Sequence, residues 1–320
     1  MAPDFEIGYA LSSEEHPPNA MVRFAQRAED VGFSFLGISD HFHPWVDSQG
    51  HSPFVWSVIG GIAAATERIK LGTGVTCPMI RIHPVIIAQA AATSACMMPG
   101  RFFLGVGSGE KLNEHILGDR WPPTDVRHEM LEEAVEVIRL LWQGGTRSHE
   151  GKHYRVENAR IYTLPEELPP IIVAAAGPKA VDLAARTGDG FWGVSPQQEL
   201  LEQFERAGGT GPKYGQVTVC WAADEDEAKK TAYEIWPNAG IKGELSQELP
   251  TPTHFEQAAQ MVRPDDLAES VPLGPDPERH LASIRQYLDA GYDRVYVHQI
   301  GPDQEGFFDF YQREVLPKLK

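Results

Sequence analysis

Short apolar runs rich in β-branched and aromatic residues recur along the chain: FEIGYAL, FLGISD, IKLGTGV, RFFLGVGSG, PIIVAAAG, GFWGVS, QVTVCWA and RVYVHQI. Longer segments of helical period separate them, at 21–31, 54–67, 85–98, 126–142, 179–187, 200–207, 225–236 and 278–290. Strands that alternate with helices in this way build βα units around a parallel sheet. Eight such units predict an α/β fold, a closed (β/α)8 TIM barrel, and an amphipathic segment at 305–319 completes the outer ring. Its motif GPDQEGFFDFY reads as an Asp-capped helix with an aromatic stripe in the core. Two stretches break the repeat. Residues 148–170 alternate and turn like a hairpin, and 240–275 hold an extra helix near 253–261. Both read as insertions on the barrel, the second between strands seven and eight, where loops cover an active site. No low-complexity linker or fixed-period repeat divides residues 1–320, which therefore read as a single domain.

A chain of 320 residues is long enough for a sizeable core. Its balance of 28 Lys+Arg against 45 Asp+Glu leaves a net charge of −17, and no basic stripe interrupts it. That argues against nucleic acid or an anionic membrane as a partner. Cys77, Cys96 and Cys220 have no CxxC spacing, which argues against a disulfide framework and a thiolate metal site. The N-terminal stretch carries acids and no apolar h-region, and no apolar run approaches the roughly 18 residues of a membrane span. A reduced, soluble, cytoplasmic protein is expected.

In a barrel of this kind, chemistry belongs at the C-terminal ends of the strands. Strand two ends in Ser39, Asp40, His41, His43 and Trp45; strand three in Gly74, Val75 and Thr76; strand four in Gly107, Ser108, Gly109, Glu110 and Asn113. Strand five ends in Ala176, Gly177 and Pro178, and strand eight in His298 and Gln299. The stretch DHFHPW is open to three readings from its residues: a two-imidazole metal pair, a packed core histidine, or acid/base chemistry beside a flat cofactor with Trp45 as a stacking wall. No second His/Asp cluster supports the metal, so none is expected. GVGSGE is not a dinucleotide fingerprint, because Glu110 follows at once and NEHILGDRWPP reads as loop. Its glycines instead let a large ligand approach the backbone.

Taken together, SDHFHPW, SPFVWSV, LGTGVTCP, GRFFLGVGSGEKLNEHILGDRWP, IYTLP and YVHQIGPDQEGFFDFYQREVLP resemble the luciferase-like barrel superfamily. Within it the chain most resembles the branch named after F420-dependent glucose-6-phosphate dehydrogenase, and the resemblance runs end to end. SDHFHPW and GSGEKLNEHILGDRWP favour coenzyme F420, a deazaflavin, over the flavin mononucleotide of the monooxygenases, which stands as the alternative cofactor. The resemblance implies a homodimer with the cofactor at the C-terminal mouth. It places Asp40 on the deazaflavin or its chain, Trp45 on the substrate side, and a non-proline cis bond at Gly74–Val75, with Thr76 beside it. Gly107, Ser108, Gly109, Asn113, Ala175, Ala176 and Gly177 would hold the ribityl–phosphate side.

Oxidising a carbinol by hydride transfer requires the hydroxyl proton to leave, and an imidazole near pKa 6.5 suits that at neutral pH, so His41 is the candidate base. A carboxyl kept neutral by burial can quench charge at the N1 side of the reduced ring, and Glu110 is the candidate acid. Carbon at C5 carries hydride and reacts poorly with oxygen, so a dehydrogenase is expected. Members that act on sugar phosphates hold the dianion with lysines and an arginine. Here Gln197, Gln198, Ser246, Gln247 and Ser270 stand where those cations are expected, with Lys242 and Arg263 the nearest replacements. An uncharged alcohol or sugar hydroxyl is the expected donor. F420-dependent oxidation of glucose 6-phosphate is the alternative.

Overall fold

The computed structural model describes residues 5–241 and 243–319. Eight parallel strands close into a barrel: β1 (Glu6–Leu11), β2 (Phe35–Ile38), β3 (Lys70–Thr73), β4 (Phe102–Val106), and, after a separate hairpin of β5 (Arg147–Glu150) and β6 (Arg155–Ala159), β7 (Ile171–Ala174), β8 (Gly190–Gly193), β9 (Lys213–Val219) and β10 (Arg294–Gln299). Around the ring the order is β1, β10, β9, β8, β7, β4, β3, β2. The hairpin pairs antiparallel, in the first predicted insertion.

Alternation along each strand divides the core in two. Phe35, Phe103, Ile172, Trp192, Tyr214 and Tyr296 fill the barrel. Outward residues such as Leu36, Leu104, Val295 and Val297 pack against the helices. Inside the barrel, hydrogen bonds run from Trp192 Nε1 to the Tyr296 hydroxyl (2.8 Å), from that hydroxyl to Gln216 Oε1 (2.8 Å), and from Gln216 Nε2 to Thr218 Oγ1 (3.3 Å). This ladder gives the floor of the mouth a fixed shape.

Helix ends follow from local chemistry. Pro18 opens the first helix (Pro18–Val31), where its missing N–H costs nothing, and Gly32 at φ 104 closes it in the left-handed region. Asp276 caps Pro277–Ala290 through the Glu278 N–H, and Asp303 caps Gln304–Phe310 through the Gly306 N–H. The aromatic stripe Phe307, Phe308, Phe310 and Tyr311 is buried as predicted.

Three elements differ from the sequence reading. The segment after GSGE is helical at Lys111–Glu114 and continues as a 3-10 turn at His115–Leu117 before the loop begins. Strand β9 spans Lys213–Val219, three residues earlier than QVTVCWA, because its register with β10 starts at Tyr214. The second insertion carries three short helices, Leu245–Glu248, Pro252–Ala259 and Pro264–Ala268, where one was expected. Among the described residues no helix is long and apolar enough to cross a membrane, and no group of three His, Cys, Asp or Glu side chains is placed to hold a metal.

Candidate active site at the mouth of the barrel

The loop after β2 and the turn after β4 are stitched together by one amide. Asn113 is 1% exposed, and its Oδ1 accepts the N–H groups of Phe42 (2.9 Å) and His43 (3.2 Å). His43 Nδ1 donates to the Leu112 carbonyl at 2.9 Å, which gives the second histidine of DHFHPW a framework role. The helical turn at Lys111–Glu114 is therefore what brings the two motifs into contact.

Asp40 is buried. Its Oδ2 accepts from the Thr76 hydroxyl at 2.7 Å and its Oδ1 from Arg81 Nη2 at 2.8 Å. Arg81 also binds Glu114, whose Oε2 accepts the Arg81 N–H at 2.8 Å. Burial pushes the Glu114 carboxyl above its usual range against the pull of Arg81. Thr76 is fully buried, with its hydroxyl spent on Asp40, so it acts on the mouth by fixing that carboxylate. Arg81 lies in MIRIHP, and no spacing in the sequence ties it to Asp40.

Around His41 the structure adds a partner that the sequence reading missed. Its Nδ1–H donates to the His43 carbonyl (3.2 Å), and its Nε2 faces Glu14 Oε1 at 3.4 Å. The Trp45 ring lies against the imidazole with centroids 4.9 Å apart. Glu14 is buried, and its Oε2 accepts from the hydroxyls of Ser39 (2.6 Å) and Ser12 (3.1 Å). Burial alone would raise the Glu14 carboxyl; the His41 charge and the Ser39 hydroxyl outweigh it and hold Glu14 below the usual carboxylate range. An ionised carboxylate beside an imidazole is the arrangement that steadies the ring once it has taken a proton. Glu14 stands at the end of the first strand, so the strand-end rule that points to His41 points to it as well.

Glu110 is only half-buried and opens the Lys111–Glu114 turn. The fully buried carboxylate of this motif is Glu114, one turn on and already engaged by Arg81. Glu110 Oε2 lies 3.5 Å from Asn113 Nδ2, which ties it to the stitch between the motifs.

The mouth fits a flat cofactor with an anionic chain. The Gly74–Val75 peptide is cis, and a Cβ at Gly74 would stand 2.6 Å from the Trp192 ring. Gly109 has φ +71, and a Cβ there would meet Cys77 Sγ at 2.6 Å. Gly107 and Ala175 are buried, Ser108 and Gly177 partly so, and Ala176 is exposed. Beyond Gly177 lies open space, and Gly177 caps the N-terminus of the ten-residue helix Pro178–Thr187, where N–H groups and the helix dipole favour phosphate.

The predicted substrate side carries no cation at the matched positions. Gln197 and Gln198 are exposed, and Gln198 is bonded to Glu202 on its own helix. Ser246 lies 3.5 Å from the Gly243 carbonyl, Gln247 accepts from Arg127, and Ser270 is exposed. Arg263 is exposed at the N-cap position of its own short helix, where its backbone N–H donates to Asp266 Oδ2 at 2.8 Å. Lys242 lies outside the described residues.

Residues 4–294 match the family of luciferase-like monooxygenases. Proteins from Microbacterium testaceum and Nocardia farcinica named F420-dependent glucose-6-phosphate dehydrogenase are 36% and 35% identical to this chain; the alignments cover 98% and 99% of it and 97% and 98% of them. A solved F420-dependent secondary alcohol dehydrogenase, in complex with an F420–acetone adduct, superimposes with a TM-score of 0.91 at 28% identity, over 99% of each chain. With the same barrel end to end and a glycine-lined mouth around His41, the chain belongs to the luciferase-like family, in the branch that holds the F420-dependent dehydrogenases.

Proposed function

We propose that the protein is an F420-dependent oxidoreductase acting on CH–OH donors, and that its donor is an uncharged alcohol or sugar hydroxyl. When bound, the coenzyme carries hydride at C5 of its deazaflavin. Gly74 and Val75 form the side of the mouth that would hold the ring, with Asp40 behind them, fixed by Thr76 and Arg81. Gly107, Ser108, Gly109, Asn113, Ala175, Ala176 and Gly177 form the side for the ribityl–phosphate chain. His41 takes the hydroxyl proton at Nε2, its tautomer set by the His43 carbonyl, and Glu14 stabilises the imidazolium. Trp45 walls the substrate against His41. Glu110 supplies a carboxyl just after β4, at the start of the Lys111–Glu114 turn. A cytoplasmic homodimer belongs to the same reading.

The observation that carries the choice of donor is the row Gln197, Gln198, Ser246, Gln247 and Ser270, uncharged where a phosphate dianion needs cations. The high structural similarity to a secondary alcohol dehydrogenase supports it. The names of the relatives favour a second reading, oxidation of glucose 6-phosphate. Following loss of the oxidised coenzyme's absorbance with a panel of alcohols, sugars and sugar phosphates separates the two. Neutral alcohols or sugars are expected to reduce it and glucose 6-phosphate to do so poorly. Efficient turnover of glucose 6-phosphate at micromolar KM would overturn the choice.

A further inference from the structure

The end of β1 carries two acids in succession, and each faces one histidine. Glu14 faces His41. Glu15 Oε2 accepts from His298 Nε2 at 2.8 Å, and its Oε1 accepts the Gly301 N–H at 2.8 Å. Both side chains of this second pair are 3% exposed. His298 follows Tyr296 by two residues on β10, so strand alternation turns it toward the inside of the barrel, in register with Thr218 at the top of the hydrogen-bonded ladder.

The two pairs are built alike. Trp236 meets the His298 ring edge-on with centroids 4.5 Å apart, and Trp45 lies tilted against His41 with centroids 4.9 Å apart. Gln49, 4% exposed, joins the two walls: its Oε1 accepts the Trp45 N–H and its Nε2 donates to the carbonyl of Ile235, the residue before Trp236. Besides the shorter carboxylate contact at His298 Nε2, they differ at Nδ1. His41 Nδ1 is spent on the His43 carbonyl, whereas His298 Nδ1 is buried and has no partner. With Nε2–H donating to Glu15, the neutral ring keeps a lone pair on Nδ1. A buried acceptor left unmatched is costly, and a pair that served only to tie β1 to β10 would not need it.

Resting on the alcohol reading above, we propose that His298 Nδ1 accepts a hydrogen bond from a second hydroxyl of the substrate. The substrate is then an uncharged diol or polyol, one hydroxyl deprotonated by His41 and another seated on His298. Glu15 fixes the tautomer that leaves Nδ1 as acceptor, and two adjacent carboxylates disfavour an anion in that seat. Trp236, partly exposed at the edge of the second insertion, is the side chain that shifts to admit the hydroxyl.

The test compares butane-2,3-diol with butan-2-ol as reductants of the coenzyme. The wild type is expected to favour the diol by about tenfold in kcat/KM, most of it in KM. His298→Gln keeps an amide N–H for Glu15 and removes the Nδ1 acceptor, so the diol preference collapses. His298→Asn places an amide oxygen near the Nδ1 position and recovers part of it. Wild-type indifference between the two alcohols overturns the proposal whatever the variants do, and so does a His298→Gln enzyme that still prefers the diol. Turnover of butan-2-ol without a diol advantage overturns this assignment alone. Reduction by neither alcohol overturns it too, and if no other alcohol or sugar works the alcohol reading falls with it.

Discussion

In the proposed mechanism Glu14 is the carboxylate that the base His41 faces. The His41 charge and the Ser39 hydroxyl hold the Glu14 carboxyl below the usual carboxylate range in spite of its burial, and its Oε1 stands 3.4 Å from the imidazole. Glu14→Gln keeps the shape and removes the charge. Loss of that charge makes the protonated ring less favourable, so kcat for alcohol oxidation is expected to fall about 100-fold while KM changes little. Steady-state kinetics of the variant beside the wild type check both, and an unchanged kcat would remove Glu14 from the mechanism. The sequence shows both residues at strand ends; the 3.4 Å contact between them exists only because β1 and β2 are neighbours in the barrel.

The second insertion is held by a buried arginine on the helix Thr124–Trp142. Arg127, 1% exposed, donates to Glu248 Oε1 (3.2 Å) and Gln247 Oε1 (3.0 Å) and lies 4.4 Å from the Trp121 ring centre. Farther along the insertion, Phe255 packs on Trp45, so this clamp bears on the side chain proposed as the substrate wall. Arg127→Met fills the volume without the clamp. Its expected outcome is a several-fold rise in alcohol KM with kcat nearly kept, and faster protease cleavage near residues 243–249, read by limited proteolysis. The insertion was visible in the sequence as a stretch that breaks the βα rhythm. Of its three helices only the one near 253–261 was, since pieces of four or five residues have too few turns to show a period.

The joint between the outer helical ring and the C-terminal segment relies in part on an uncharged histidine. His280 is fully buried; its Nε2–H donates to the Gly274 carbonyl (3.0 Å) and its Nδ1 accepts the Tyr311 hydroxyl (3.0 Å), joining the helix Pro277–Ala290 to the C-terminal segment. Burial pushes its pKa down to about 4. The unfolded chain takes up this proton near pH 6.5 and the folded chain resists it, so between those values the unfolded state binds more protons and stability falls as the pH falls. The contribution is ~3 kcal/mol, present above pH 6.5 and lost on approach to pH 4. Thermal melts from pH 7.5 to 4.5 should show a falling Tm. His280→Gln is expected to melt lower at pH 7.5 yet with a shallower slope, and an equal slope would assign the acid sensitivity to other groups.

By itself the sequence determined the eight βα units, both insertions, the glycines and the histidines of the mouth, and the family, because periodicity, turn residues and strand-end motifs are local properties. Tertiary structure decided what those residues do to each other. It paired Glu14 with His41 and Glu15 with His298, spent Asp40 on Thr76 and Arg81, and gave His43 to the Leu112 carbonyl. These partners are far apart in the chain, and only barrel closure, which lays β1 beside β10 and β2, sets their distances and removes them from water.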